Sequence, residues 1–398
     1  MPMIYPLALV AGLACLLILA SPLPYLAPLV APALIALGIL YRHPSLGILG
    51  LVAMVPVEGL FPEGSAITGS KLVGYALIGV VALQLLLRQL SEQRLRSNLW
   101  RVLLPFLGCY LLSLIYSQHV PLSLETFRQL SIGLSLFILT LLLYQELDLS
   151  WMARLIVLGV AFSGAVALDN VDIVSGRSIG LLSDPNYFAL LLALAIPLTL
   201  LLALQARGVL LRLFWYALLG FLLFGLTKTG SRSGFIILLA CFAGTLWHFR
   251  EYRKRLQPRH FGFVLLALLI GVPLAFQAVP DEYIERVKTL VFLKDGARSY
   301  DDPSLGRRSS YLVVGGEIIS KSPLLGSGPG TFPLEYAKST YAVAYSLSPN
   351  NPNLFRVAHN TYLGMLSESG VPAGLLFIAL ILLGVKNYLT ARAIWLRS

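Results

Sequence analysis

The chain has 398 residues, 57% of them hydrophobic and 12% charged, with a formal net charge of +11. A soluble globular domain averages roughly 25% charged residues, so this composition excludes a chain whose surface mainly faces water. The apolar residues gather in runs of about 20, the length that crosses a bilayer as a helix. Lipid cannot satisfy an open sheet edge, and the alternating pattern of a membrane barrel is absent. The sequence therefore predicts an all-α polytopic membrane protein.

About twelve apolar runs follow in chain order: 4–20, 23–41, 45–60, 70–88, 101–117, 124–145, 151–169, 184–204, 209–227, 231–249, 260–279 and 371–391. The first lacks a basic leader and a clear small-residue cleavage site, so it reads as a span and not as a removed signal peptide. The third is short and is weakened by Pro56 and Glu58. Cys15, Cys109 and Cys241 all fall inside apolar runs, which predicts no disulfide, and no Cys/His spacing suits a metal. No cofactor is expected.

The distribution of positive charge orients these spans. With a cytoplasmic N-terminus, the cytoplasmic connections hold Arg42, Arg88, Arg94, Arg96, Arg101, Arg154, Arg207, Arg212, Arg250, Arg253, Lys254, Arg255 and Arg259, and the tail adds Lys386, Arg392 and Arg397. That is sixteen of the 30 basic residues; the short outer connections hold only Lys71, Arg128, Arg177, Lys228 and Arg232. Both termini are thus expected in the cytoplasm. The excess of charge then reflects topology and not a nucleic-acid partner. The one long segment on the far side, 280–358, contains two amphipathic stretches, 281–293 and 308–321, that read as short helices. By this reading the chain divides into a transmembrane bundle (1–169), a transmembrane core with outer-face arginines (170–279), the outer segment (280–358), and a histidine-bearing re-entry helix with the last span (359–398).

Polar groups at membrane depth are costly and are usually functional, and on the outer side they fall in four places. Arg177 and Asp184-Pro185-Asn186 precede the eighth span; Asp184 with Pro185 also suits a plain helix cap. Lys228 and Arg232 flank a connection so short that both must lie at the outer interface, where the small residues around them permit close approach of an anion. Arg307 and Arg308 open the second amphipathic stretch, followed by Tyr311. His359 and Asn360, with Tyr362 just beyond, begin the re-entry into the membrane, where the first turn of a helix would favour a neutral imidazole fit to act as a base. Asp301-Asp302, the glycine-rich turn 326–330 and the remaining histidines show no ligand spacing, and no phosphate-loop lysine follows the turn.

Four segments, GRSIGLLSDPNYFA, LTKTGSRSG, the arginine helix running into SPLLGSGPGTF, and HNTYLGMLSESGVPAGLLF, resemble in that order the core of the O-antigen ligase and polymerase superfamily. The resemblance covers about residues 170–390, and it is the order of the segments that makes it specific. It implies a metal-independent, inverting glycosyltransferase in the bacterial inner membrane, working at the periplasmic face. Such an enzyme takes a glycan from undecaprenyl pyrophosphate and passes it to the lipid A–core of lipopolysaccharide, as a ligase, or to another lipid-linked repeat unit, as a polymerase. The family's pattern falls on Arg232, Arg308 and His359: His359 as base and the arginines on the diphosphate. Arg307, Arg177 and Lys228 are further diphosphate candidates, and Asn360, Tyr362, Tyr311, Asn186 and Asp184 are candidates to line the cavity. Arg308 fits better than Arg307 because it precedes Tyr311 by three residues, though the doublet leaves both open. One long outer segment without a second of comparable size favours the ligase. A transporter is the alternative of another class, but transporters place polar residues near the midplane, and here they collect at one face.

Overall fold

The computed structural model describes residues 12–13, 15–22, 24–61, 68–166, 170–171, 176–248, 303–345 and 354–397. The expected span over 260–279 and helix over 281–293 lie outside the described residues, as does most of the run 4–20. Among the described residues all regular structure is helical, apart from one isolated bridge between Val171 and Ser178. Among the described residues, six helices are long and apolar enough to cross a membrane, or seven if one bent pair counts as a span. The chain forms two compact units: residues 1–91 with 142–295, and residues 92–141 with 296–398.

The first unit begins with α1 (Val30–Arg42) and α2 (Ser45–Met54). The apolar runs 23–41 and 45–60 were expected to be separate spans. They form a helix pair bent by 116°, which by length and composition is a broken span or a re-entrant loop. The break falls at His43-Pro44: proline has no N–H to continue the ladder of α1, and its ring disfavours helix in the residue before it. Then come α3 (Gly69–Leu86), α6 (Leu149–Val166), α7 (Pro185–Gln205), α8 (Val209–Lys228) and α9 (Arg232–His248). α7 is the hub, packing against α6, α8 and α9. Its buried face combines Phe188, Leu192 and Ile196 with Ala189, Ala193 and Ala203, small residues that let backbones approach closely in lipid. At Gly234 of α9, a Cβ would come within 2.7 Å of the Ala189 Cβ, so glycine is what permits that crossing. Large apolar side chains such as Leu86 and Leu210 remain exposed, as lipid-facing positions of a span would be.

The second unit contains α4 (Trp100–Ile115), α5 (Val120–Leu143), α10 (Pro303–Lys321), α11 (Phe332–Ala337), α12 (Thr340–Ala344) and α13 (Thr361–Trp395). The amphipathic helix expected over 308–321 is present as α10, but it starts at Pro303, so Arg307 and Arg308 lie in its second turn and do not open it as expected. The last span, expected over 371–391, is the longer arm of α13, which is interrupted at Gly370 (φ 85°, ψ 164°). Phe106 and Tyr110 of α4 pack around Ala373 beyond that kink. α10 lies against the first arm of α13, where Gly315 leaves room for Leu363.

The turn Gly326–Gly330 locks onto the kink. Ser327 N–H donates to Ser367 O (3.0 Å), Gly328 N–H to Glu368 O (2.8 Å), and Val371 N–H to Pro323 O (2.8 Å). The Glu368 carboxylate accepts the N–H groups of Gly330 (2.8 Å) and Phe332 (2.9 Å). The amides of this turn are therefore engaged within the fold, in line with its reading as a turn and not as a phosphate loop.

Candidate functional site

In the first unit, the connection between α8 and α9 is fixed from beneath. Asp184 is extended (φ −140°, ψ 131°) and caps α7, accepting the N–H groups of Asn186 (2.6 Å) and Tyr187 (3.3 Å), with Pro185 opening the helix. This cap aims the Asn186 amide oxygen at two donors: Arg177 Nη2 (3.1 Å) and Ser231 Oγ (2.9 Å). Arg177 Nε donates to Thr229 O (2.6 Å), and the Ser231 hydroxyl also meets that of Ser233 (2.9 Å) and accepts the Gly234 N–H (3.2 Å). Gly230 turns the chain with φ +57°, and a Cβ there would press on the Arg177 side chain. Ser231 and Thr229 are buried, and Arg232, half-buried, is the first residue of α9.

Arg177, Asn186 and Asp184 thus act on the turn that carries Arg232. Lys228 is exposed, its Nζ 5.3 Å from the centre of the Phe224 ring. At the opposite ends of α6, α7 and α8, Arg154 and Arg207 line a separate cavity with Trp215. Within this unit the two basic groups lie at opposite helix ends.

In the second unit, Tyr311 is the centre. It is buried, 3% exposed, among Tyr336 (ring centres 5.0 Å apart), Phe332 (6.2 Å) and His359 (6.1 Å). Tyr336 Oη is 2.9 Å from Ser310 Oγ, which itself donates to Arg307 O (2.7 Å). Burial pushes the Tyr311 phenol above its usual range, and the guanidinium groups of Arg356 and Arg307 pull it back only in part. The phenol is therefore neutral at physiological pH. Of the arginine doublet, Arg307 is half-buried and in electrostatic reach of Tyr311, whereas Arg308 is exposed.

His359 was expected in the first turn of a helix, and the structure corrects this. Asn360 (φ −148°, ψ 105°) is the cap, its side chain accepting the N–H groups of Tyr362 (3.1 Å) and Leu363 (3.2 Å), so the helix begins at Thr361. His359 stands outside it with φ +46°, a left-handed conformation rare for residues other than glycine and asparagine. Strain of this kind costs about 1–3 kcal/mol and clusters at functional sites. The imidazole is exposed on one side and meets Tyr311 on the other. Tyr362, half-exposed, packs near Phe377 (6.1 Å) and not in the Tyr311 cluster.

The structure thus brings together His359, Tyr311 and Arg307 in one unit, and Arg177, Asn186 and the Arg232 turn in the other. The sequence reading missed Arg356, Tyr336 and Glu368. For Glu368 a signal existed, since an acidic residue inside an apolar re-entry is expensive. Arg356 was one of nine basic residues in the long segment 280–358, and nothing in its spacing set it apart. Among the described residues, no three His, Cys, Asp or Glu side chains are grouped to hold a metal ion.

These helices and their basic clusters define a multi-pass membrane protein. Residues 217–378 match the family model described as O-antigen ligase, a match that supports the O-antigen ligase and polymerase superfamily for this chain. The family indicates O-antigen ligase or polymerase-type activity, its members being glycosyltransferase-like enzymes, and it implies lipid-linked glycan and lipid substrates. The matched residues include Lys228, Arg232, Arg307, Arg308 and His359. No curated protein and no solved structure matches the chain.

Proposed function

We propose that the chain is an O-antigen ligase: a metal-independent, inverting glycosyltransferase at the periplasmic face of the bacterial inner membrane. It moves a glycan from undecaprenyl pyrophosphate to the lipid A–core of lipopolysaccharide. The observation that carries this reading is His359, held in a left-handed conformation against Tyr311 on α10, the helix that carries the arginine doublet in its second turn, all within the family match.

In the proposed reaction, an acceptor hydroxyl attacks the anomeric carbon opposite the diphosphate. The bond from that carbon to the diphosphate oxygen breaks, the carbon inverts, and His359 takes the hydroxyl proton. Negative charge grows on the departing diphosphate. An arginine stays charged and offers paired donors, so Arg232 and Arg308 would stabilise that charge without a metal. A fixed donor lost from such a role costs about 3 kcal/mol of transition-state stabilisation.

Purified protein in nanodiscs, given an undecaprenyl-pyrophosphate glycan with and without lipid A–core, tests the reading. Glycosylated core, formed only when core is present, is the expected result. Longer lipid-linked chains made without core would assign the polymerase reaction instead. Neither product from folded protein with a matched donor would overturn the glycosyltransferase reading and bring the transporter forward. Activity abolished by chelation and restored by a metal would overturn the metal-independent account.

A further inference from the structure

We infer that Arg356 binds phosphate: its Nε and Nη2 form a side-on fork that takes two oxygens of the donor's diphosphate. The inference rests on the donor proposed above and adds a residue to which no role has been given.

The observation is an imbalance inside the Tyr311 cluster. Arg356 Nε and Nη2 are both shut off from solvent, and neither has a hydrogen-bond partner among the described residues. A buried donor without an acceptor is costly, more so when it carries charge, and native proteins keep few of them. These two nitrogens lie on the same edge of the guanidinium, and this edge presents two parallel N–H groups at the spacing of two oxygens on one phosphorus or carboxyl carbon. What is unsatisfied is therefore a complete bidentate site and not one stray atom.

The surroundings favour an anion as its partner. Tyr311 is in electrostatic reach of Arg356, but its phenol stays neutral and supplies an oxygen without a charge. Arg307 adds a second positive charge near the same ring. His359, three residues along the chain, stacks at a tilt on Tyr311, so the fork belongs to the cluster of the proposed base. Arg356 sits on the irregular stretch 354–360, which has no helix or strand ladder to hold it, and a shift of that stretch would admit the anion to the fork.

The test uses full-length protein in nanodiscs, titrated with undecaprenyl pyrophosphate and separately with inorganic pyrophosphate. Binding is read from the ligand-induced rise in melting temperature. Arg356→Gln removes charge and fork, and Arg356→Lys keeps the charge but loses the fork. The expected result is that both variants melt like wild type without ligand and bind both anions about tenfold or more weakly, lysine failing to rescue. Undecaprenyl pyrophosphate bound equally by wild type and both variants would overturn the role of Arg356 and leave the donor proposal standing. Binding of inorganic pyrophosphate alone, dependent on Arg356, would support the fork and overturn the lipid-linked donor. Variants that melt lower without ligand but keep full anion affinity would make Arg356 structural and overturn the inference. Wild type that binds neither anion would overturn both.

Discussion

His359 offers a variant that separates chemistry from backbone. Asparagine tolerates the left-handed region but cannot accept and carry a proton as imidazole does. His359→Asn is therefore expected to melt within a few degrees of wild type while transfer falls about a hundredfold; full transfer by a folded His359→Asn protein would end the base assignment. The arginine doublet separates in a similar way. Arg308 is exposed, so Arg308→Ala is expected to cost about tenfold or more in transfer with an unchanged melting temperature. Arg307 is half-buried near Tyr311, so Arg307→Ala is expected to lower the melting temperature as well. If Arg307→Ala alone impairs transfer, the phosphate contact moves to Arg307. How much of this was legible depended on the residue. Asp184-Pro185 and Asn360 follow local rules, and helix caps can be read from a few neighbouring residues. That His359 lies before its cap was not readable, because Asn360 and His359 are both plausible first-turn residues until the Asn360 side chain is seen to accept two amides. Arg356 was opaque for a different reason: its significance lies in atoms that lack partners, and partners come from packing, not from spacing.

At the scale of elements, the kink in α13 and the glycine turn hold each other. The sequence made the apolar run and the turn visible separately, but a period of hydrophobicity does not say that one closes on the other. The ties are the Glu368 carboxylate on two amides and the contact of Gly370 with Leu324, where a Cβ would lie 2.2 Å from the carbonyl oxygen. Gly370 also occupies a backbone region open essentially to glycine alone, so Gly370→Ala is expected to destabilise the fold by about 3 kcal/mol or more. Glu368→Ala leaves two partly buried amides without their acceptor, at up to about 1–3 kcal/mol each. Thermal unfolding in detergent measures both; an unchanged melting temperature for Glu368→Ala would show that water satisfies those amides and that the carboxylate does not hold the turn. The same limit on periodicity explains the first unit. The lengths of α7, α8 and α9 were read from their apolar runs to within a residue or two, whereas the bend joining α1 to α2 depends on one proline between two apolar arms.

For the whole molecule, the question is which side of the membrane the site faces, and charge placement makes a definite prediction. Basic loops resist translocation, so the connections rich in arginine and lysine are expected in the cytoplasm and the short ones poor in them outside. Between Gln93 and Lys338 the chain has α4 to α9 and then the apolar run 260–279. If each of these seven crosses once, the two positions lie on opposite sides, Gln93 in the cytoplasm. α4 and α9 are shorter than the other spans, which makes this count worth testing. Cys15, Cys109 and Cys241 are replaced first, and a single cysteine is then placed at Gln93 or at Lys338, both exposed. A maleimide that cannot cross the inner membrane is expected to label Lys338→Cys in cells whose outer membrane alone has been opened, and to label Gln93→Cys only after the inner membrane is broken. Labelling of both without breaking it would mean an even number of crossings, removing one of the seven. The reverse pattern would put His359 and the arginine helix in the cytoplasm, where nucleotide-sugar donors replace the lipid-linked glycan, and the ligase proposal would fall while the fold stood unchanged.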